Sequence, residues 1–230
     1  MTKDVDLLKQ EIMREIYQNR MLLTANRDRQ EGWTLVSGLW SPFYIQLRLL
    51  SSFPSTLRRV GKAMAILLRE EAPDVTKLVG VAFAGIPIAT ALSLESGLPT
   101  CHTRKILGVK SQEDFAKAID SYGQHELLEG VLEDGDRLCI VDDLVTGLTT
   151  KLVARDQVLA EAERREIHDI KCTDIAVVID RQQGALKKAQ ELGLNLHSVI
   201  RFVDEGLPDI KDLMNIQEYE QIRTYLAAER

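Results

Sequence analysis

The sequence predicts an α/β protein with a largely parallel central sheet and helices on both faces. Three observations carry this. From residue 55 onward, short apolar runs alternate with longer stretches of helical spacing, the order that builds parallel sheets. Two of those runs, KLVGVAFA (77–84) and RLCIVDD (137–143), have the pattern of strands buried on both faces. Of the 230 residues, 45% are hydrophobic, which suffices for a sizeable core.

The elements follow in order. Residues 4–23 read as an amphipathic helix, with Leu7, Leu8, Ile12, Ile16 and Leu22 near helical spacing. WTLVSGLWSPFYIQLRLL (33–50) is aromatic and β-favouring, broken at Ser-Gly and Ser-Pro, so short strands around a turn are expected. Pro54-Ser55 opens a helix to about Glu71, with Leu57, Val60, Met64, Leu67 and Leu68 on one face. After the strand at 77–84, GIPIATALSLESG reads as a turn and a helix that ends at Gly97, and PTCHTRK (99–105) as another strand. Residues 106–130 turn polar and carry Gly108, Gly123 and Gly130; a long excursion is expected there, helical around EDFAKAI. Excursions of that length inside a compact domain are usually functional. A strand at 137–143, a long helix from Thr149, a strand TDIAVVID, a helix GALKKAQELG and a last strand LHSVIRFV complete the alternation. The expected organisation is one domain over 1–230, with an N-terminal cap over 1–50, an extended mobile loop over 106–122 and a C-terminal helix over 209–230.

Charge and composition exclude several classes. A net charge of −6 disfavours a nucleic-acid coat protein, and residues 1–30 hold a mixed-charge helix rather than a basic recognition helix; no nucleic-acid partner is expected. No apolar run approaches the ~20 residues that span a bilayer, and the N-terminus has no apolar signal core. Cys101, Cys139 and Cys172 are odd in number and form no CxxC pair, as buried reduced thiols do. A soluble cytoplasmic protein is expected. His102, His125, His168 and His197 show no metal-ligand spacing, so no protein metal site is expected.

Chemistry concentrates in LCIVDDLVTGLTT (138–150). Ligands of open parallel sheets sit beyond the carboxyl ends of the strands, where Asp142 and Asp143 fall. Adjacent carboxylates repel, and burial raises the cost of charging both. They are tolerable against solvent, a cation or ligand hydroxyls. The loop Thr146–Thr150 runs into a helix N-terminus, whose amides and dipole suit phosphate. Vicinal sugar hydroxyls on the acids and a phosphate on the loop describe a ribose phosphate. The spacing alone equally allows a simple turn with Thr149 as a helix N-cap. There is no GxxxxGK[ST] loop, and GVAFAGIP is not a GxGxxG fingerprint.

The stretch resembles the phosphoribosyl-pyrophosphate (PRPP) motif of type I phosphoribosyltransferases, and four further segments in order resemble the orotate phosphoribosyltransferases. WTLVSGLWSPFYIQLRLL is similar to that family's entry segment, and VGVAFAGIPIATALS (79–93) to its pyrophosphate-loop strand and helix. TRK (103–105) and YGQHELLEG (122–130) are similar to the two sides of its mobile loop, and VVIDRQQG (177–184) to the segment that reaches the base. The resemblance spans roughly residues 5–205.

It implies a type I phosphoribosyltransferase-like fold and transfer of phosphoribose from PRPP to orotate, with Mg²⁺ bound mainly through the pyrophosphate. It implies a homodimer with the loop shared between subunits. It assigns the PRPP-binding residues Phe83, Ala84, Gly85, Arg104, Lys105, Asp142, Asp143, Thr146, Gly147, Leu148, Thr149 and Thr150. Lys105 and Asp143 become candidate catalytic residues. Arg181, with Phe43 and Tyr44, is assigned to orotate, a planar guanidinium fork suiting its carboxylate.

Four features depart from the family pattern. Val36 replaces the lysine before Ser-Gly. In TGLTT, Gly147 takes a hydroxyl residue's place and Leu148 a glycine's. Asp120 replaces a loop lysine. The stretch 106–121 between Arg-Lys and Tyr-Gly is much longer than in the pattern, and it contains Lys110 and Lys117, either of which could supply a missing catalytic cation. The alternatives these leave are a PRPP- or nucleotide-binding regulatory protein and transfer to another base.

Overall fold

The computed structural model describes residues 3–35, 38–119 and 125–228. The chain runs α1 (Lys3–Gln18), β1 (Leu22–Thr24), β2 (Trp33–Thr34), β3 (Trp40–Ser41), β4 (Phe43–Ile45), a 3₁₀ segment (Leu47–Ser52), α2 (Pro54–Glu71), β5 (Lys77–Gly80), α3 (Gly85–Ser96) and β6 (Thr100–Thr103). It continues with α4 (Gln112–Ile119), β7 (Leu128–Glu129), β8 (Arg137–Val145), α5 (Thr149–Arg164), β9 (Lys171–Asp180), α6 (Ala185–Glu191) and β10 (Asn195–Arg201). A π turn, the single turn α7 (Leu207–Asp209) and a 3₁₀ turn lead to α8 (Ile216–Ala228).

The central sheet has the order β10-β9-β8-β5-β6-β7 among the described residues. Its pairs are parallel except for β6 with the short edge strand β7. The chain moves outward from β5 to β6 in one direction and from β8 to β9 and β10 in the other. The order therefore reverses between β5 and β8, and that is where an open α/β sheet forms its ligand crevice.

Period-two alternation feeds two cores. Leu78, Cys139, Val141, Ala176 and Val178 face one layer built on α1, α2, α3 and α8. Val79, Ile140, Ile175 and Val177 face the other, built on α5 and α6. Residues of 1–50 enter the first core, with Ile12, Met13, Ile16, Phe43 and Leu47 buried there. Glu218 of α8 ties the ends of the chain together, accepting from Thr24 Oγ1 (2.5 Å) and Tyr17 Oη (3.0 Å).

Several boundaries differ from the sequence reading. Helix α1 stops at Gln18, and Leu22 belongs to strand β1. The apolar run 77–84 divides: only 77–80 is strand, and 81–84 forms the turn into α3. Strand β8 continues past the two acids to Val145. The regular C-terminal helix begins at Ile216 rather than 209; before it the chain makes only the single turn α7 and a 3₁₀ turn at Lys211–Leu213. In the excursion, Ser111 and Asp114 cap α4: the Asp114 amide donates to Ser111 Oγ (3.1 Å), and the Lys110 amide to Asp114 Oδ2 (3.0 Å). Ile106, Phe115 and Leu127 then form a third small core with Val153 and Ala160 of α5.

Candidate active site

Three segments meet at the switch point. The first is the end of β8. Asp142 is buried, and its two oxygens are engaged: Oδ1 accepts the Asp143 amide (2.9 Å), and Oδ2 lies 2.8 Å from Lys151 Nζ. Asp143 Oδ1 accepts the Leu144 amide (2.8 Å). Burial pushes the Asp143 carboxyl up to about 7; the charge of Asp142 adds to this, and Lys151 opposes it.

The second segment is the loop Thr146–Thr150. Leu148 occupies the N-cap position of α5, and among the described residues no side-chain hydrogen bond caps that end, so its first amides have the character of a helix start. The Leu148 side chain is fully buried in the core it shares with Val145 and Leu152. It points away from the exposed face, where Gly147, Thr149 and Thr150 lie. Among the described residues, no heavy atom beyond the adjoining residues comes within 4 Å of where a Gly147 Cβ would stand.

The third is the turn from β5 into α3. A Cβ at Gly85 would lie 2.2 Å from the Val141 carbonyl oxygen, so only glycine lets α3 start directly against β8, one residue before Asp142. The Ala82–Phe83 peptide is cis. Phe83 is 70% exposed, and the Ala82 amide donates to Thr103 Oγ1 (3.1 Å).

Across from these, Thr103, Arg104, Lys105, Lys110, Thr150 and Gln157 line one cleft of about 90 Å³, together with Val81 and Ala82. That is below the several hundred Å³ that enclose a whole small molecule, and so describes a subsite. Arg104 is positioned twice: its amide donates to the Leu127 carbonyl (3.0 Å), and its carbonyl accepts from Gln157 Nε2 (2.8 Å). Its guanidinium lies 3.5 Å from Glu129. Lys110 is thus brought to the same cleft as Lys105. Lys117 is not: its ammonium pairs with Glu113 at 2.6 Å on the exposed face of α4.

At the end of β9, the Arg181 amide donates to the Val145 carbonyl (3.0 Å), so the residue sits beside the end of β8. Its buried guanidinium stands 4.8 Å from the ring centroid of Phe43, within cation–π range. Phe43 is itself fully buried against Phe202. Tyr44 turns the other way, stacks on Trp33, and accepts from Arg48 at its hydroxyl. Val36, Asp120, Tyr122 and Gly123 lie outside the described residues.

Sequence reasoning missed Lys151, Thr103 and Gln157. Lys151 carried a signal: a lysine in the first helical turn opposes the positive end of the dipole, and such breaches of local preference concentrate at functional sites.

No family model matches the chain. It is similar to an orotate phosphoribosyltransferase of Pyrococcus furiosus, with 30% identity over 181 residues that cover 79% of this chain and 89% of that protein. It is similar also to an orotate phosphoribosyltransferase of Caenorhabditis elegans, with 32% identity over 190 residues covering 82% and 75%. Among solved structures, UMP synthase of Leishmania donovani superposes with a TM-score of 0.76 at 25% identity, over 96% of this chain and 42% of that longer one.

Proposed function

The chain belongs to the orotate phosphoribosyltransferase family, and from that premise we propose that it transfers phosphoribose from PRPP to orotate in pyrimidine nucleotide synthesis. A ring nitrogen of orotate displaces pyrophosphate at the anomeric carbon and gives orotidine 5'-phosphate. Asp142 and Asp143 hold the ribose hydroxyls. The Thr146–Thr150 loop seats the 5-phosphate on the first amides of α5. Phe83–Gly85, Arg104, Lys105 and Lys110 receive the pyrophosphate, and Arg181 receives the orotate carboxylate.

The transition state has oxocarbenium character, so the protein's task is alignment and neutralisation of departing charge. The cations on the cleft wall serve the second; the acids, the loop and Gly85 serve the first. Among the described residues, no group of three or more His, Cys, Asp or Glu could hold a metal ion. On this reading Mg²⁺ would be carried mainly by the pyrophosphate, as its reluctance to dehydrate favours, and would supply positive charge to the leaving group. A homodimer sharing the loop between subunits and a cytoplasmic location complete the proposal. Among the described residues, no helix is long and apolar enough to cross a membrane.

One juxtaposition carries the reading: the Asp142–Asp143 pair adjoins an uncapped helix start whose Thr150 shares a cleft with Arg104, Lys105 and Lys110. The test is to mix purified protein with PRPP, Mg²⁺ and orotate and follow orotate absorbance. Loss that requires both PRPP and Mg²⁺ is expected. No loss, in a folded protein that still binds PRPP by calorimetry, overturns transfer to orotate.

A further inference from the structure

Lys151 has no part in the mechanism above, yet its surroundings are specific. It is only 4% exposed. Its ammonium lies 2.8 Å from Asp142 Oδ2, donates to the Leu144 carbonyl (2.6 Å), and reaches Thr150 Oγ1 at 3.4 Å. Three ammonium protons thus meet three acceptors. Two local forces oppose a cation there: the positive end of the α5 dipole and the desolvation of a buried charge. The neighbouring acids offset them. Asp142 is held on both oxygens, one by Lys151 and one by the Asp143 amide. The lysine also joins two elements, since it is rooted in the first turn of α5 and bonded to the end of β8.

We propose that Lys151 is a positioning residue: it fixes Asp142 between β8 and α5 and supplies the counter-charge that lets both aspartates face a ribose as carboxylates. This rests on the ribose reading given under Proposed function. Without the ammonium, the two acids share one sheltered place with no cation bonded to either. Protonation of one then becomes easier, and a protonated carboxyl no longer accepts from both hydroxyls. Other charged groups near the pair are engaged elsewhere or stand across the cleft. Asp180 accepts the Gln182 amide (2.7 Å), Arg181 lies over Phe43, and Arg104 faces Glu129. Lys105 and Lys110 line the cleft opposite, while the turn after β5 and the start of α3 bring Val81 and Gly85 against β8.

The experiment measures PRPP binding by calorimetry with Mg²⁺ across about pH 5.5–9, for wild type, Lys151→Met, Lys151→Gln and Lys151→Arg, with kcat and KM in parallel. Lys151→Gln keeps a donor for the Leu144 carbonyl while removing the charge, so it covers the case in which Lys151→Met fails to fold. In both charge-free proteins the acid limb of binding is expected to move up by about one pH unit, with affinity near neutrality down about tenfold. KM for PRPP rises more than kcat falls, and Lys151→Arg restores the midpoint. An unmoved midpoint, equal weakening at every pH, or arginine no better than methionine overturns the proposal. So does failure of both charge-free proteins to fold, which assigns Lys151 to the fold alone. Wild type that binds no PRPP at any pH sinks the ribose reading itself; wild-type binding with unmoved variants sinks only the role of Lys151.

Discussion

At the amino end of the sheet, Lys77 is buried with its ammonium 2.6 Å from Asp136 and 3.4 Å from Glu133; at the carboxyl end, Lys151 is buried 2.8 Å from Asp142, with Asp143 beside it. Each lysine serves two acids, but the second acid differs. The Glu133 side chain is 74% exposed, so water carries its charge. Asp136 is closed off by further donors, Thr76 Oγ1 (3.1 Å) and the Glu133 amide (2.8 Å). Asp143 is sheltered, and its carboxyl is pushed up to about 7. A buried ion pair by itself locks the fold. A sheltered acid beyond that pair is where, on the function proposed above, a ligand completes the arrangement.

The contrast can be broken most forcefully at the amino end. Lys77→Met leaves Asp136 buried without its cation and is expected to cost about 3–5 kcal/mol of stability. Urea unfolding reads this, and kcat/KM of the folded fraction stays unchanged. A fold of full stability with lost turnover would reverse the assignment of the two ends. Asp143→Asn is the next largest. The loss expected in kcat/KM is about 100-fold, or about 2.7 kcal/mol, while stability moves the opposite way. The folded value of about 7 stands above the ordinary 3.8. The contribution of Asp143 is therefore full below about pH 4 and lost as pH rises through 7. The asparagine protein should melt higher at pH 8, by roughly 1–3 kcal/mol of stability, and no higher at pH 4. Equal melting temperatures at both pH values would remove the idea of a strained acid.

A pH effect of smaller size is expected at the amino end. His197 is buried with one ring nitrogen 2.9 Å from Glu71 and the other 2.9 Å from Asp174. Burial opposes its charged form, but the hydrogen bonds and charges of Asp174 and Glu71 outweigh that and raise it. Its contribution is full below about pH 6.5 and lost as pH rises through the raised folded value. Urea midpoints at pH 5.5 and 8.5 should differ more in wild type than in His197→Gln. The smallest test concerns the two inserted lysines: Lys110→Ala should raise KM for PRPP about threefold, and Lys117→Ala should change neither KM nor stability beyond about 0.5 kcal/mol. Equal effects of the two would mean that the cleft distinguishes neither.

Much of this arrangement was legible in the sequence. The alternation from residue 55, the helix 54–71, the helix 85–96 and the placing of Asp142 and Asp143 late in a buried strand were read from apolar period, Pro54, Gly97 and the paired acids. The ends of elements were harder. Strand β8 keeps its ladder to Val145 because β9 pairs with it there, and pairing with a distant strand leaves no local mark. Conversely, 81–84 leaves the sheet although it is apolar, because Gly85 lets α3 start directly on β8. The role of Leu148 was likewise hidden. Its place in TGLTT suggests an obstruction to phosphate, but its side chain turns inward to the core beneath α5. Gln157 carries no mark in the sequence, and Lys151 only its unfavourable place in a first helical turn; the burial of both is decided by what α5 packs on.

The excursion at 106–119 brings its own apolar centre, in Ile106 and Phe115, and fastens to α5 through Val153, Ala160 and a hydrogen bond from Gln112 Nε2 to Asp156 (2.7 Å). Neither sheet core depends on it. Changes of length or charge in this segment would thus leave both sheet cores, and the helix whose first turn carries Lys151, in place. The wall that bears Lys110 is in this sense a separable part, built on its own small apolar centre rather than on either core of the sheet.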